Sequence, residues 1–158
     1  MNPFIGLILG IAAIHEGAQQ VTEGEERWQV YKQARAYADS VGKLLLVVGV
    51  PKFDEFNHPG GDVTIDISPD VPTSCDYEIA DVRDIPYPDK YFGAAFASHI
   101  LEHLSTMEDA CRALDELDRV ADMFFIVSPH KSSIMAWLHP EHRLWITENE
   151  DGYRIEQR

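Results

Sequence analysis

The chain has 158 residues, 45% of them apolar and 25% charged. That length and composition suit one folded domain with one sizeable core and exclude wholesale disorder. The 27 acidic and 13 basic residues give a formal net charge of -14. A surface this acidic repels phosphate backbones, so no nucleic-acid partner is expected. The two cysteines, Cys75 and Cys111, have neither metal-ligand spacing nor a disulfide framework, which fits a reducing, cytoplasmic compartment.

The N-terminus opens with an uncharged run from Pro3 to Ile14, PFIGLILGIAAI. At a rise of ~1.5 Å per residue it is too short to cross a hydrocarbon core of ~30 Å. It lacks the basic leader of a signal peptide. Gly6 and Gly10 form a GxxxG, a spacing that lets helices approach closely. Residues 1–20 are therefore expected to form an added apolar helix. It either packs against the domain or makes a membrane-surface or homo-oligomer contact through residues 3–14. Residues 21–158 form the α/β domain.

A second helix is expected over Glu25 to Val41, where Trp28, Tyr31, Ala34, Ala38 and Val41 recur at helical spacing. Gly42 suits its left-handed cap. Leu44 to Val48, LLLVV, has the continuous apolar character of a parallel strand buried on both faces. Val50 to Gly61 carries two prolines and two glycines and is expected to be loop. Further strands are expected over Asp62 to Ile67, Tyr77 to Ala80, Tyr91 to Ser98 and Met123 to Val127. A helix capped by Ser105 or Thr106 precedes the last of these, and a short helix over Ser132 to Leu138 follows it. The tail from Arg143, with Asp151-Gly152, is compatible with a hairpin. Strands alternating with helices and loops imply a parallel sheet, with its ligand at the carboxyl ends of the strands.

Three residues stand at those ends: Gly49, Asp66 and Asp81. A glycine lets backbone approach a ligand closely. A carboxylate after the second strand can accept ribose hydroxyl protons, and another can accept a bond from an adenine amine. Singly, such aspartates are ordinary loop caps; in this order they outline a nucleoside site.

The stretch Ile79 to Leu104, IADVRDIPYPDKYFGAAFASHILEHL, resembles the region around strands three and four of type 11 class I S-adenosylmethionine (SAM) methyltransferases. The shared features are Asp81, then Ile85-Pro86-Tyr87, Asp89 and Phe92, then Ile100-Leu101-Glu102-His103-Leu104. RALDELDRVADMFFIVSPH and HPEHRLWIT (His139 to Thr147) are similar to the segments that follow in that family. The resemblance implies a Rossmann-like, mostly parallel sheet in the order 3-2-1-4-5, with SAM as cofactor. Gly49 would lie beside the methionine part, Asp66 on the ribose, and Asp81 and Val82 near adenine. Ser98 and His99 would line the junction with the acceptor. His99 and His130 are the candidate general bases, should the acceptor need to lose a proton.

Three departures weaken that pattern. Where the family has D-x-G-x-G, this chain reads Val47-Val48-Gly49-Val50-Pro51. The helix normally following is replaced by the Pro/Gly loop, and the last two antiparallel strands are expected to be shortened or absent. His99-x-x-Glu102-His103 also matches an inverted zinc-protease motif, but the family pattern accounts for it better. His139 and His142, at i and i+3, could join a metal site but are read as loop histidines, and no metal is expected. Trp137 and Trp145 either line an acceptor pocket or close the core. The leading expectation is a SAM-dependent methyltransferase acting on a small-molecule or saccharide-like acceptor. The alternative is a non-catalytic module of the same fold, a pseudoenzyme tethered to a membrane or complex by its N-terminal helix.

Overall fold

The computed structural model describes residues 3–51, 58–71, 75–150 and 152–158, with side chains from residue 12 onward. Five parallel strands form one sheet in the order β3-β2-β1-β4-β5. They are β1 (Leu44–Val48), β2 (Val63–Asp66), β3 (Glu78–Ile79), β4 (Phe92–Ser98) and β5 (Ala121–Val127). The Rossmann-like α/β class and the strand order expected from the sequence are both present.

The apolar run of β1 is buried on both faces, and its alternation assigns each residue to one of them. Leu45 and Val47 point to a cluster with Tyr31, Ala34, Ala38 and Phe96. Leu46 and Val48 point to the opposite cluster with Ile65, Ala95, Ala110 and Leu117. Each such aliphatic side chain contributes about 1.5–3 kcal/mol when fully buried. The first face is covered by helix α1 (Pro3–Ser40) and the second by α2 (Met107–Val120).

Helix α1 corrects the sequence reading. One continuous 38-residue helix replaces the expected separate segments, so a boundary at residue 20 falls within it. Gly17 and Gly24 each weaken a helix by about 1 kcal/mol but do not end it; no proline follows Pro3 until Pro51. Gly42, at φ +67, closes the helix as its left-handed cap. The Gly6–Gly10 pair lies outside the described side chains. Among the described residues, no helix is long and apolar enough to cross a membrane.

Helix α2 starts at Thr106, whose hydroxyl accepts the Asp109 N–H at 3.0 Å. Its Glu116 and Arg119 fasten the proline-marked loop that enters β4. Glu116 accepts the Ile85 N–H at 2.8 Å, and Arg119 donates to the carbonyls of Ile85 and Tyr87 at 2.9 and 2.8 Å. Helix α3 (Ile134–Leu138) is capped by Ser133.

The tail forms a two-stranded antiparallel sheet of β6 (Leu144–Asn149) and β7 (Gly152–Gln157). This is the hairpin with which the tail sequence is compatible. The two strands do not extend the main sheet. Leu144, Ile146 and Ile155 pack into the α2-side core, which buries one face of the hairpin without hydrogen-bonding it to β5.

Candidate functional site

A cavity of about 800 Å³ opens at the carboxyl ends of the strands. Its volume falls in the range of small-molecule and cofactor sites. Gly49, Asp66, Asp81, Val82, Ser98 and His99 all line it. His130 does not: it is exposed, with its ring 2.7 Å from the Ser132 hydroxyl.

The parallel registry places the lining residues together. Gly49 donates its N–H to Ile65 at 2.8 Å, one residue before Asp66, and Ala80 donates to the Asp66 carbonyl at 3.0 Å. Asp66 and Asp81 thus leave neighbouring strands beside Gly49. The glycine has φ +90, and a Cβ there would meet Cδ1 of Ile100 at 2.5 Å. Position 49 is held to glycine by backbone conformation and by space.

The two aspartates differ in their bonding. Asp66 accepts the N–H of Val50 on Oδ2 at 3.0 Å and that of Ser68 on Oδ1 at 2.8 Å. A carboxylate has about four acceptor positions, so each oxygen retains capacity for a diol. Asp81 is gripped by the Arg83 guanidinium, at 3.0 Å to Oδ1 and 2.6 Å to Oδ2. This bond is the main cause that holds its carboxyl below the usual range, against opposing burial. Arg83 also reaches Asp109 at 2.8 Å, tying the end of β3 to the start of α2.

The departures in the first motif have a structural setting. Val47 is fully buried in the α1-side core, where a carboxylate would be taken out of water. Pro51 is buried and offers no N–H. Residues 52–57 of the expected loop lie outside the described residues.

Ser98 on the cavity wall and Glu102 behind it are under-satisfied. The Ser98 hydroxyl is buried without a hydrogen-bond partner, and so are both carboxyl oxygens of Glu102. Glu102 is 1% exposed. Burial pushes it up to about 8, so it carries its proton near neutral pH. Its Oε1 lies 3.6 Å from Nδ1 of His99. His99 itself sits at φ +55, a conformation uncommon outside glycine and asparagine.

Sequence reasoning missed the contribution of α1. Glu16, Gln20, Glu23 and Arg27 line the cavity. Glu16 accepts the N–H of Ile134 at 2.8 Å and of Met135 at 3.2 Å, and the Ser133 hydroxyl at 3.0 Å. Glu23 accepts the His130 N–H at 3.1 Å. Their spacing of three to four residues was visible, but reading residues 1–20 as a separate apolar helix hid it. Sequence reasoning also set His139 and His142 apart from His103. The structure brings all three together on the cavity wall. Trp137 and Trp145 do not line the cavity; Trp145 is buried, and Trp137 packs on it with centroids 4.9 Å apart.

Residues 62–122 match the family model of a methyltransferase domain. The matched span includes Asp66, Asp81, Val82, Ser98 and His99, and the surrounding sheet has the order 3-2-1-4-5. This match and the parallel sheet support a class I methyltransferase. No curated protein matches the chain. Members of this methyltransferase family generally use SAM. The cavity's residues fit such a group: Asp66 retains acceptor capacity on both oxygens, and the buried Ser98 hydroxyl has no hydrogen-bond partner. In the stretch before the match, this chain has Val47 and Pro51 where the family pattern has an acid and a glycine.

Proposed function

We propose that this protein is a SAM-dependent methyltransferase acting on a small-molecule or saccharide-like acceptor. The observation that carries the reading is the convergence of Gly49, Asp66 and Asp81 on one cavity at the ends of adjacent parallel strands. Asp66 would hold the ribose hydroxyls. Asp81 and Val82 would border the adenine, with Asp81 sharing its oxygens with Arg83. Gly49 would let the backbone come close to the methionine part. SAM supplies a methyl group on a sulfonium, so the protein's main work is to align the acceptor for in-line displacement. Ser98 and His99 border the place where the acceptor would meet it. The imidazole of His99 would take a proton from a hydroxyl acceptor, steered by the Glu102 carboxyl behind it. The polar wall formed by Glu16, Gln20, Glu23 and Arg27 favours a hydroxyl-rich acceptor over an anionic one.

A non-catalytic module of the same fold is the second reading. It is favoured by Val47, Pro51 and the engaged carboxylate of Asp81.

Calorimetric titration with SAM and S-adenosylhomocysteine separates the two. Micromolar binding lost in Asp66→Ala supports the enzyme. No binding at millimolar ligand supports the module.

A further inference from the structure

We propose that His103, His139 and His142 form a binding site for a divalent transition-metal ion, zinc foremost, on the cavity wall. One ring nitrogen from each residue lies within 4.8 Å of the others. The rings of His139 and His142 stack with centroids 4.3 Å apart, and His103 meets His142 edge-on at 4.8 Å. Three imidazoles and no carboxylate suit zinc and its neighbours over magnesium or calcium.

Two features make this more than a chance grouping. First, Nδ1 of His142 is buried without a hydrogen-bond partner. Second, the backbone carrying the rings is fastened from outside. Arg143 donates its N–H to the Glu102 carbonyl at 2.7 Å, joining the start of β6 to the 3-10 turn (Leu101–His103) that bears His103. The Arg158 guanidinium donates to the carbonyls of Ala136, His139 and His142 at 3.0, 2.9 and 3.1 Å. Such outer bonds position metal ligands before the ion arrives.

Zinc–nitrogen bonds of about 2.0–2.1 Å draw tetrahedral ligands to roughly 3.3 Å apart. The rings need to close by rotation, and the exposed His103 has room to do so. His139 accepts the Glu141 N–H on Nδ1 over a long 3.4 Å, a bond weak enough to exchange for a metal. The fourth position would face the cavity, open to water or an acceptor oxygen. The site does not depend on SAM binding.

The test is competition for zinc between the untagged, metal-stripped chain and a chromogenic chelator, without SAM. One zinc per chain is expected at submicromolar affinity. His103→Gln and His142→Gln should weaken it by at least about 100-fold, and His130→Ala should leave it unchanged. Because His103 is exposed, its variant keeps the fold, which circular dichroism checks. Cobalt substitution should give the intense visible bands of a four-coordinate ion. No zinc uptake at about 100 μM, or uptake untouched by His103→Gln, overturns the proposal.

Discussion

The carboxylate of Asp66 accepts the backbone N–H of Val50 at 3.0 Å, so the last residue of β2 fixes the chain as it leaves β1. The residue offered as a ribose acceptor is therefore also a brace. Asp66→Ala should lose at least about 100-fold in S-adenosylhomocysteine affinity, from the loss of two charge-assisted bonds of about 1.5–3 kcal/mol each. It should also lose about 1–2 kcal/mol of stability. Calorimetry and denaturant unfolding read the two effects separately. An unchanged affinity would remove Asp66 from the site.

Gly49→Ala should destabilise the chain by about 1–3 kcal/mol. The cause is the 2.5 Å approach to Ile100 combined with φ +90. Ile100→Ala added to it should recover the steric part and leave the conformational part. A double-mutant cycle on unfolding free energies measures the difference. Strict additivity of the two substitutions would show that Ile100 is not the obstacle.

The sheet was legible because its signals were local. LLLVV and MFFIV are continuous apolar runs at strand length, and the Gly49, Asp66 and Asp81 positions follow from where β1, β2 and β3 stop. What escaped notice depended on distant partners. Nothing near Glu16 or Glu23 indicates that they meet Ser133 and His130, more than 100 residues away. The three histidines likewise come from the 3-10 turn and the segment before β6, which only the packing of the hairpin on that turn unites. The continuity of α1 was missed for another reason. Its two halves differ so much in polarity that they read as two elements, although no residue between them ends a helix.

A pH effect is expected at the contact of α1 with the sheet. The Arg35 guanidinium meets Asp62 at 2.5 Å, and the Leu45 N–H donates to the same carboxylate at 2.7 Å. The Arg35 bond is the main reason Asp62 lies below its ordinary 3.8; burial opposes it, and the Leu45 bond assists. The stabilisation is therefore complete above about 3.8 and is lost as pH falls through the lower folded-state value. Asp62→Asn should cost about 1–2 kcal/mol near neutrality. Its deficit should shrink in acid as the wild-type carboxylate is protonated. A deficit constant with pH would assign the effect to packing.

Glu16 holds the first turn of α3 through three bonds. Removing a cap of this sort costs about 1 kcal/mol. Glu16→Ala should lower the melting temperature accordingly, and Glu16→Gln should restore part of the loss. Equal melting temperatures for wild type and Glu16→Ala would show that α3 does not depend on this contact.

The tether reading of residues 3–14 is testable by deleting residues 1–11, which spares Glu16. If that segment contacts lipid or a second copy, the truncated protein should float less with liposomes or elute at a smaller mass in size-exclusion chromatography. Identical flotation and mass before and after truncation would end that reading.

Helix α1 serves two neighbourhoods. Tyr31, Ala34 and Ala38 are embedded in the sheet's cover, while Glu16 through Arg27 form one bank of the cavity. A guest in that cavity would lean on the same rod that roofs the hydrophobic interior, so occupancy and the rod's integrity become thermodynamically linked. Amide hydrogens in the turns around Glu23 would then exchange more slowly when the chamber is filled, reporting a ligand from beyond its immediate reach.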